Sequence, residues 1–213
     1  MIGKTNGKLV AGILLVLHAS LLLAGCAAIV TPNYTQTVEA LRAGQYELDT
    51  DHAYIHFGIE HLGLSTIVGR FNNAEATLDF DPEAVTALRL DGRVDVASID
   101  LNSAALEKRL RGQDWLNTER YPQATFTSVR VIPVDSNIFN VEGDFTLRGV
   151  TRKLTLETHF KGGADNLLTG KYTLGFSASG SFLRSDYGID GFRGLIADEV
   201  SVEINAEFQR TGE

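Results

Sequence analysis

The residues of this chain best suited by type to metal binding or proton transfer are its five histidines. His52, His56 and His61 fall close together in sequence. His52 and His56 share one face of an extended strand, yet four residues of strand set them about 13 Å apart, and zinc–nitrogen bonds are only ~2.0 Å long. One ion cannot bridge that gap. His61 has the opposite parity, and the single cysteine lies far away at position 26, so no metal site is expected. Ser65 near His61 and several aspartates make a hydrolytic triad only on paper. There is no Gly-x-Ser-x-Gly, no glycine-rich phosphate loop before Lys-Ser/Thr and no His-Glu-x-x-His, so no catalytic residue is expected.

Aromatic and aliphatic side chains at every second position are the better site candidates. Phe57, Ile59, Phe71, Phe80, Phe126, Phe145, Tyr172, Phe176, Phe182 and Phe208 fall on apolar faces of different segments. Such faces either pack on one another as a solid core or line an apolar lumen. Gly69, Ala74, Ala76, Gly143, Ala178 and Gly180 on the same faces leave interior volume unfilled and favour the lumen. A long amphiphile in that lumen also needs its head group held. Arg184 and Asp186, with Ser185 and Tyr187, form a polar cluster just after Phe182, where a barrel mouth belongs, and His61 is a second candidate at a strand end.

The elements that carry these residues are strands with one wet side. From Phe139 to Leu147, from Tyr172 to Phe182 and from Val200 to Phe208, apolar and polar residues alternate with a period of two. That is the signature of an antiparallel sheet, since parallel strands covered on both faces read as unbroken apolar runs. At Asn72-Asn73 the apolar face slips by one residue, as at a bulge or sharp corner. Asp81-Pro82 reads as a turn. Ala104 to Arg111 reads as a short helix capped by Asn102 or Ser103 and closed by Gly112. The expected fold is all-β, an antiparallel barrel of about eight strands with one or two short helices.

The N-terminus bears on location. Lys4 and Lys8 precede an apolar run from Leu9 to Leu23, shorter than the ~20 residues that span a bilayer as a helix. Residues 1–25 read as an export signal. Leu23-Ala24-Gly25-Cys26 resembles the lipobox of bacterial lipoproteins, in which the cysteine is acylated and becomes the first residue. Cys26 is thus the expected lipid attachment. Ala27 in place of Asp favours the outer over the inner membrane by the same resemblance. Residues 26–43 read as a tether, with a short helical turn at Val38 to Leu41, and residues 44–213 as the barrel domain. Removing the leader leaves 17 basic against 27 acidic residues, a net −10, which opposes binding to nucleic acid. With one cysteine in the chain no internal disulfide forms, and burial and strand pairing must hold the barrel alone.

The chain also resembles a known family through Tyr46-x-Leu-Asp with His52 shortly after, Glu60-His61-Leu62-Gly63 running into Val68-Gly69-Arg70-Phe71, and Leu110-Arg111-Gly112-Gln113-Asp114-Trp115-Leu116 leading to Tyr121-Pro122 and Phe126. Val141-Glu142-Gly143-Asp144-Phe145-Thr146-Leu147-Arg148-Gly149 and Arg184-Ser185-Asp186-Tyr187-Gly188 continue the match. These motifs resemble the YceI family of bacterial polyisoprenoid-binding proteins. Ala53 stands where that family usually has Ser. The resemblance implies a lipocalin-like barrel, a bound isoprenoid as ligand with no further cofactor, and a binding protein rather than an enzyme. Many members are soluble in the periplasm, so the lipobox adds an anchor facing that compartment. An enzyme acting on isoprenoid lipids and a solid-core envelope module remain as alternatives, and a homodimer is compatible with the sequence.

Overall fold

The computed structural model describes residues 34, 35 and 37–212; the expected signal peptide and Cys26 lie outside them. Ten strands and one helix follow in order: β1 Gly44–His61, β2 Ser65–Phe71, β3 Ala74–Phe80, β4 Arg89–Asp95, β5 Ile99–Asp100, α1 Ala104–Arg111, β6 Gln123–Asp135, β7 Ile138–Leu147, β8 Val150–Asp165, β9 Tyr172–Leu183 and β10 Ile196–Arg210. Sequence neighbours pair antiparallel from β6 to β10, and β10 returns to β1 through Tyr46↔Arg210 to His61↔Ile196, closing the sheet. Closure removes the open edges on which strands aggregate.

Two of the ten strands are continuations of others. β1 pairs with β3 at residues 44–47 and with β2 at residues 55–61, along the same edge, so β2 and β3 are one strand bent at Asn72-Asn73. The strand beyond bends with it. β4 pairs with β3, β5 pairs with β2, and a 3-10 turn at Val96–Ser98 joins them. Asn72 N–H donates to the Ser98 carbonyl at 3.2 Å and Asp95 N–H to the Asn73 carbonyl at 3.0 Å, which locks the two corners together. The result is a barrel of eight staves, with the corner where the hydrophobic pattern slips.

β1 carries a second irregularity. Between Leu48↔Phe208 and Ala53↔Ala206, four residues of β1 face one of β10. Asp49 organises this bulge, accepting from Asp51 N–H at 3.2 Å, from the Gln209 amide and from His52 Nδ1 at 3.0 Å. α1 starts where its cap predicts, with Ser103 Oγ accepting from Leu106 N–H at 3.4 Å.

The two ends of the barrel differ. At one end lie the β3–β4, β6–β7 and β8–β9 connections and the chain segment entering β1; at the other lie the β1–β2 and β7–β8 turns, α1 and the 184–195 loop. The entry end is a packed floor of Phe80, Phe139, Phe160, Tyr172, Leu174 and Phe208, among others. Part of the expected tether belongs to it. Thr35 pairs with Gly163, and Val38, which opens the Val38–Ala40 turn, and Leu41, which follows it, are only 4% and 6% exposed. The packed domain therefore begins ahead of residue 44, because those two side chains cover apolar surface that the strands leave open. At the far end a smaller cluster gathers Val96, Trp115, Ala124, Leu147, Tyr187 and Ile189.

Candidate functional site

Above the packed floor the barrel is hollow. A cavity of about 340 Å³ runs from Leu78 and Phe208 near the floor to α1, Trp115, Ile189 and Phe192 at the far end. Its wall is almost wholly apolar because one face of every stave points inward. Phe57, Ile59, Phe71, Phe126, Phe145, Phe176, Phe182 and Phe208 all line it. Phe80 and Tyr172 do not. Both sit in the floor, and Tyr172 lies under the Arg42 guanidinium, 4.3 Å from its ring centre, where burial pushes its phenol upward. Phe176 borders floor and lumen together, its ring 5.6 Å from Phe160 and 6.0 Å from Phe208. Phe145, Phe182 and Tyr187 form an aromatic knot 5.2 to 5.5 Å apart below the far rim.

The volume does not come from every small residue in the pattern. Ala74, Ala76 and Ala178 do line the lumen. Gly69 and Gly143 are instead covered by aromatic rings: a methyl group at Gly69 would lie 2.4 Å from Phe57 Cζ, and one at Gly143 2.4 Å from Phe126 Cζ. Phe57 and Gly69 face one another across the β1–β2 ladder, and a cross-strand ring laid over a glycine shields backbone that a larger side chain would otherwise cover. Gly180 abuts the Thr155 carbonyl and Leu156. The rings fold down onto the sheet and keep the centre open.

Arginines tie the loops of the far end together. Arg184 is 2% exposed, and its Nε, Nη1 and Nη2 donate to the carbonyls of Ala197, Ile189 and Ile196 at 2.8, 2.7 and 3.1 Å. Arg148 stands at φ 50° in the two-residue turn with Gly149. Its guanidinium reaches the carbonyls of Gly188 and Gln113. Arg111 donates to the carbonyls of Ala97 and Ile99 at 2.8 and 2.7 Å. A planar guanidinium can satisfy several carbonyls from different loops at once. The motifs that are dispersed in sequence thus converge on one rim.

This placement revises the head-group candidates. Arg184 reaches the cavity wall but is engaged as a clamp on the backbone. Asp186 is exposed and lies away from the cavity wall, and it is Ser185 that is bonded, through N–H and Oγ, to Asp198 at 2.9 and 2.6 Å. Those bonds hold the Asp198 carboxyl below its usual range. His61 pairs with Ser65 and Ile196 in the ladder and is outside the cavity wall. The cation that sequence reading missed is Arg109. It is exposed on α1 at the cavity rim, 5.6 Å from the centre of the Phe192 ring. Leu106 and Leu110 beside it form an i, i+4 pair facing the lumen, a signal that was present in the helix sequence.

For metals, Asp49, His52 and Glu207 are the described residues whose ligand atoms come within 4.8 Å of one another. The bulge's own bonds account for Asp49 and His52. Their hydrogen bond raises the His52 pKa, while on Asp49 an upward pull from burial is outweighed by the bond to His52 and other donors, leaving it lowered.

Comparison with known proteins agrees with this architecture. A family model for the YceI-like domain matches residues 46–208. Protein YceI of Escherichia coli O157:H7 is 38% identical over 167 residues, covering 78% of this chain and 86% of that protein. The crystal structure of the Campylobacter jejuni YceI protein superposes with a TM-score of 0.64 at 27% identity, covering 72% of this chain and 91% of that one. A polyisoprenoid-binding domain from Saccharophagus degradans, implicated in plant cell wall breakdown, shares the fold with a TM-score of 0.59 at 17% identity over 79% of this chain and 99% of that one. By the extent of the domain match and by its identity to these relatives, the chain belongs to the YceI-like family.

Proposed function

We propose that this protein is a lipid-anchored envelope protein that holds a polyisoprenoid chain, on a polyprenyl phosphate or a quinone-type head, inside its barrel for transport, storage or sensing. The observation that carries the reading is the cavity, about 340 Å³ and apolar from floor to rim, within the range of ligand sites generally. An apolar tail gains there what it loses in water, about 25 cal/mol for each Å² covered. The fold relative described as polyisoprenoid-binding supports the same ligand class. Acylation of Cys26, an outer-membrane location and a periplasmic orientation complete the proposal and rest on the leader sequence.

The wall is suited to holding an apolar chain, and its few polar side chains are scattered, among them His56, Glu75 and Thr125 on β1, β3 and β6. Arg109, exposed at the rim, is the side chain we assign to an anionic head group, with the tail running past Leu110 and Phe182 toward Phe208. The test is mass spectrometry of an organic extract of the purified protein, run beside an Ala178→Trp variant. Ala178 lines the lumen midway along β9, so the indole should displace lipid while the barrel still melts cooperatively. Wild-type protein that yields no isoprenoid and binds none on titration refutes the assignment.

A further inference from the structure

We infer that the β8–β9 hairpin is a second membrane contact, seating the entry end of the barrel on the bilayer that carries acylated Cys26; the inference rests on the anchoring proposed above. Its tip, Asn166-Leu167-Leu168-Thr169-Gly170, exposes Leu167 by 69% and Leu168 by 94%. Hairpin tips in water are ordinarily polar, and two adjacent leucines there have no packing role within the barrel. The tip is nevertheless built firmly. Asn166 Oδ1 accepts from Leu168 N–H at 3.0 Å, and Asn166 N–H donates to the Lys171 carbonyl at 2.9 Å. Gly170 N–H returns to the Asn166 carbonyl at 2.8 Å. Both leucines are thus presented outward by an ordered turn.

The position of the chain's entry selects the occupant. Thr35 pairs with Gly163 at the base of this hairpin, and the half-exposed Tyr34 ring lies against Gly162. Only seven residues lie between Cys26 and Tyr34, and the eight steps from one to the other reach at most about 28 Å. An acylated Cys26 therefore keeps Tyr34, and with it the base of this hairpin, within that distance of the bilayer surface. The local charges are compatible with a headgroup layer. Asp165 is paired with Arg42 at 2.7 Å, leaving the exposed Lys161 and Lys171 to either side, and tyrosine and lysine are the residues that favour such an interface.

The test uses the full chain, purified from membranes with its N-terminal modification, in phosphatidylcholine vesicles whose acyl chains carry bromine, a contact quencher of tryptophan. Leu168→Trp and Leu64→Trp place probes at opposite ends on side chains 94% and 84% exposed, where folding is not at stake. The wild-type protein, whose single Trp115 is 8% exposed, supplies the blank. Leu168→Trp should lose most of its emission relative to unbrominated vesicles, and Leu64→Trp should not. Quenching at Leu64→Trp alone, or at neither probe in protein that floats with the vesicles, overturns the seating and leaves the anchor standing. Protein that does not float overturns both. Isoprenoid content, read from the same preparations by mass spectrometry, reports on the ligand assignment separately.

Discussion

Replacing Gly69 by alanine tests how the lumen is kept open. The new methyl group would lie 2.4 Å from Phe57 Cζ, 2.7 Å from Cε1 and 3.1 Å from Leu101 Cγ, where carbon atoms prefer ~3.5–4.0 Å. The β1–β2 ladder fixes the backbone on both sides through Phe57↔Gly69, so the ring must yield. Overpacking a core costs ~1–3 kcal/mol. Phe57 lines a cavity and has room to swing inward, which places the cost near the lower end, about 1–2 kcal/mol. A domain of this size loses ~2–4 °C per kcal/mol, so the midpoint should fall by about 2–8 °C. The displaced ring then occupies lumen, and isoprenoid recovered per mole of protein should fall as well. Gly92→Ala is the control, because its methyl group would stand 3.8 Å from Ala76 Cβ, an ordinary contact, and should change neither quantity. Thermal denaturation with quantified lipid extraction reads both effects. If Gly69→Ala melts and loads like the wild type, the ring is not what bounds the lumen, and the reasoning fails.

Two further outcomes follow from the rim and the bulge. Arg184→Gln removes a buried clamp that serves three carbonyls; a cost of ~3–5 kcal/mol is expected, with equal losses for a polyprenyl phosphate and its alcohol, whereas Arg109→Gln should weaken the phosphate alone, by ~1.5–3 kcal/mol, as competition titrations against both ligands will show. His52 should titrate above the ordinary ~6.5 because Asp49 holds its proton, and Asp49→Asn should return it toward that value in an NMR titration. The stabilisation from raised His52 is full below ~6.5 and disappears as pH rises through the folded pKa; that from lowered Asp49 is present above ~3.9 and disappears as pH falls through its folded pKa. The pair therefore helps most between about pH 4 and 6.5, and a flat His52→Asn stability difference across that window and up to pH 8 would contradict it.

Strand periodicity was legible because one face of each stave is wet, so Val200 to Phe208 could be assigned inward from sequence alone, and the slip at Asn72-Asn73 marks a true corner. Period two, however, identifies a face and not a height along the barrel. Phe80 and Tyr172 have the same parity logic as Phe145 and Phe182, yet they lie in the floor, because depth is set by register and closure rather than by local pattern. Small residues misled for a related reason. Gly69 reads as missing volume until the cross-strand partner Phe57 is known to fill it. Arg184 read as a head-group candidate at the mouth because sequence cannot show which carbonyls from Ile189, Ile196 and Ala197 converge on it. Val38 and Leu41 were hidden in a weakly apolar segment whose burial depends on distant strands.

The floor that Val38, Leu41 and Phe160 help close makes the barrel a blind tube. Under the proposed function a guest's tail would end where the aromatic floor begins, so depth would work as a gauge of chain length. Both Ile196 and Phe208 border the lumen on β10; twelve residues of strand tilted by about 40° correspond to roughly 30 Å along the axis. That is close to the ~30 Å thickness of a bilayer's hydrocarbon core. An isoprenoid no longer than this would be sheathed along its whole tail, with only its head at the rim. A longer one must fold back on itself or leave part of its tail in water, and it would be selected against by the stopper at the bottom rather than by any contact with its head group.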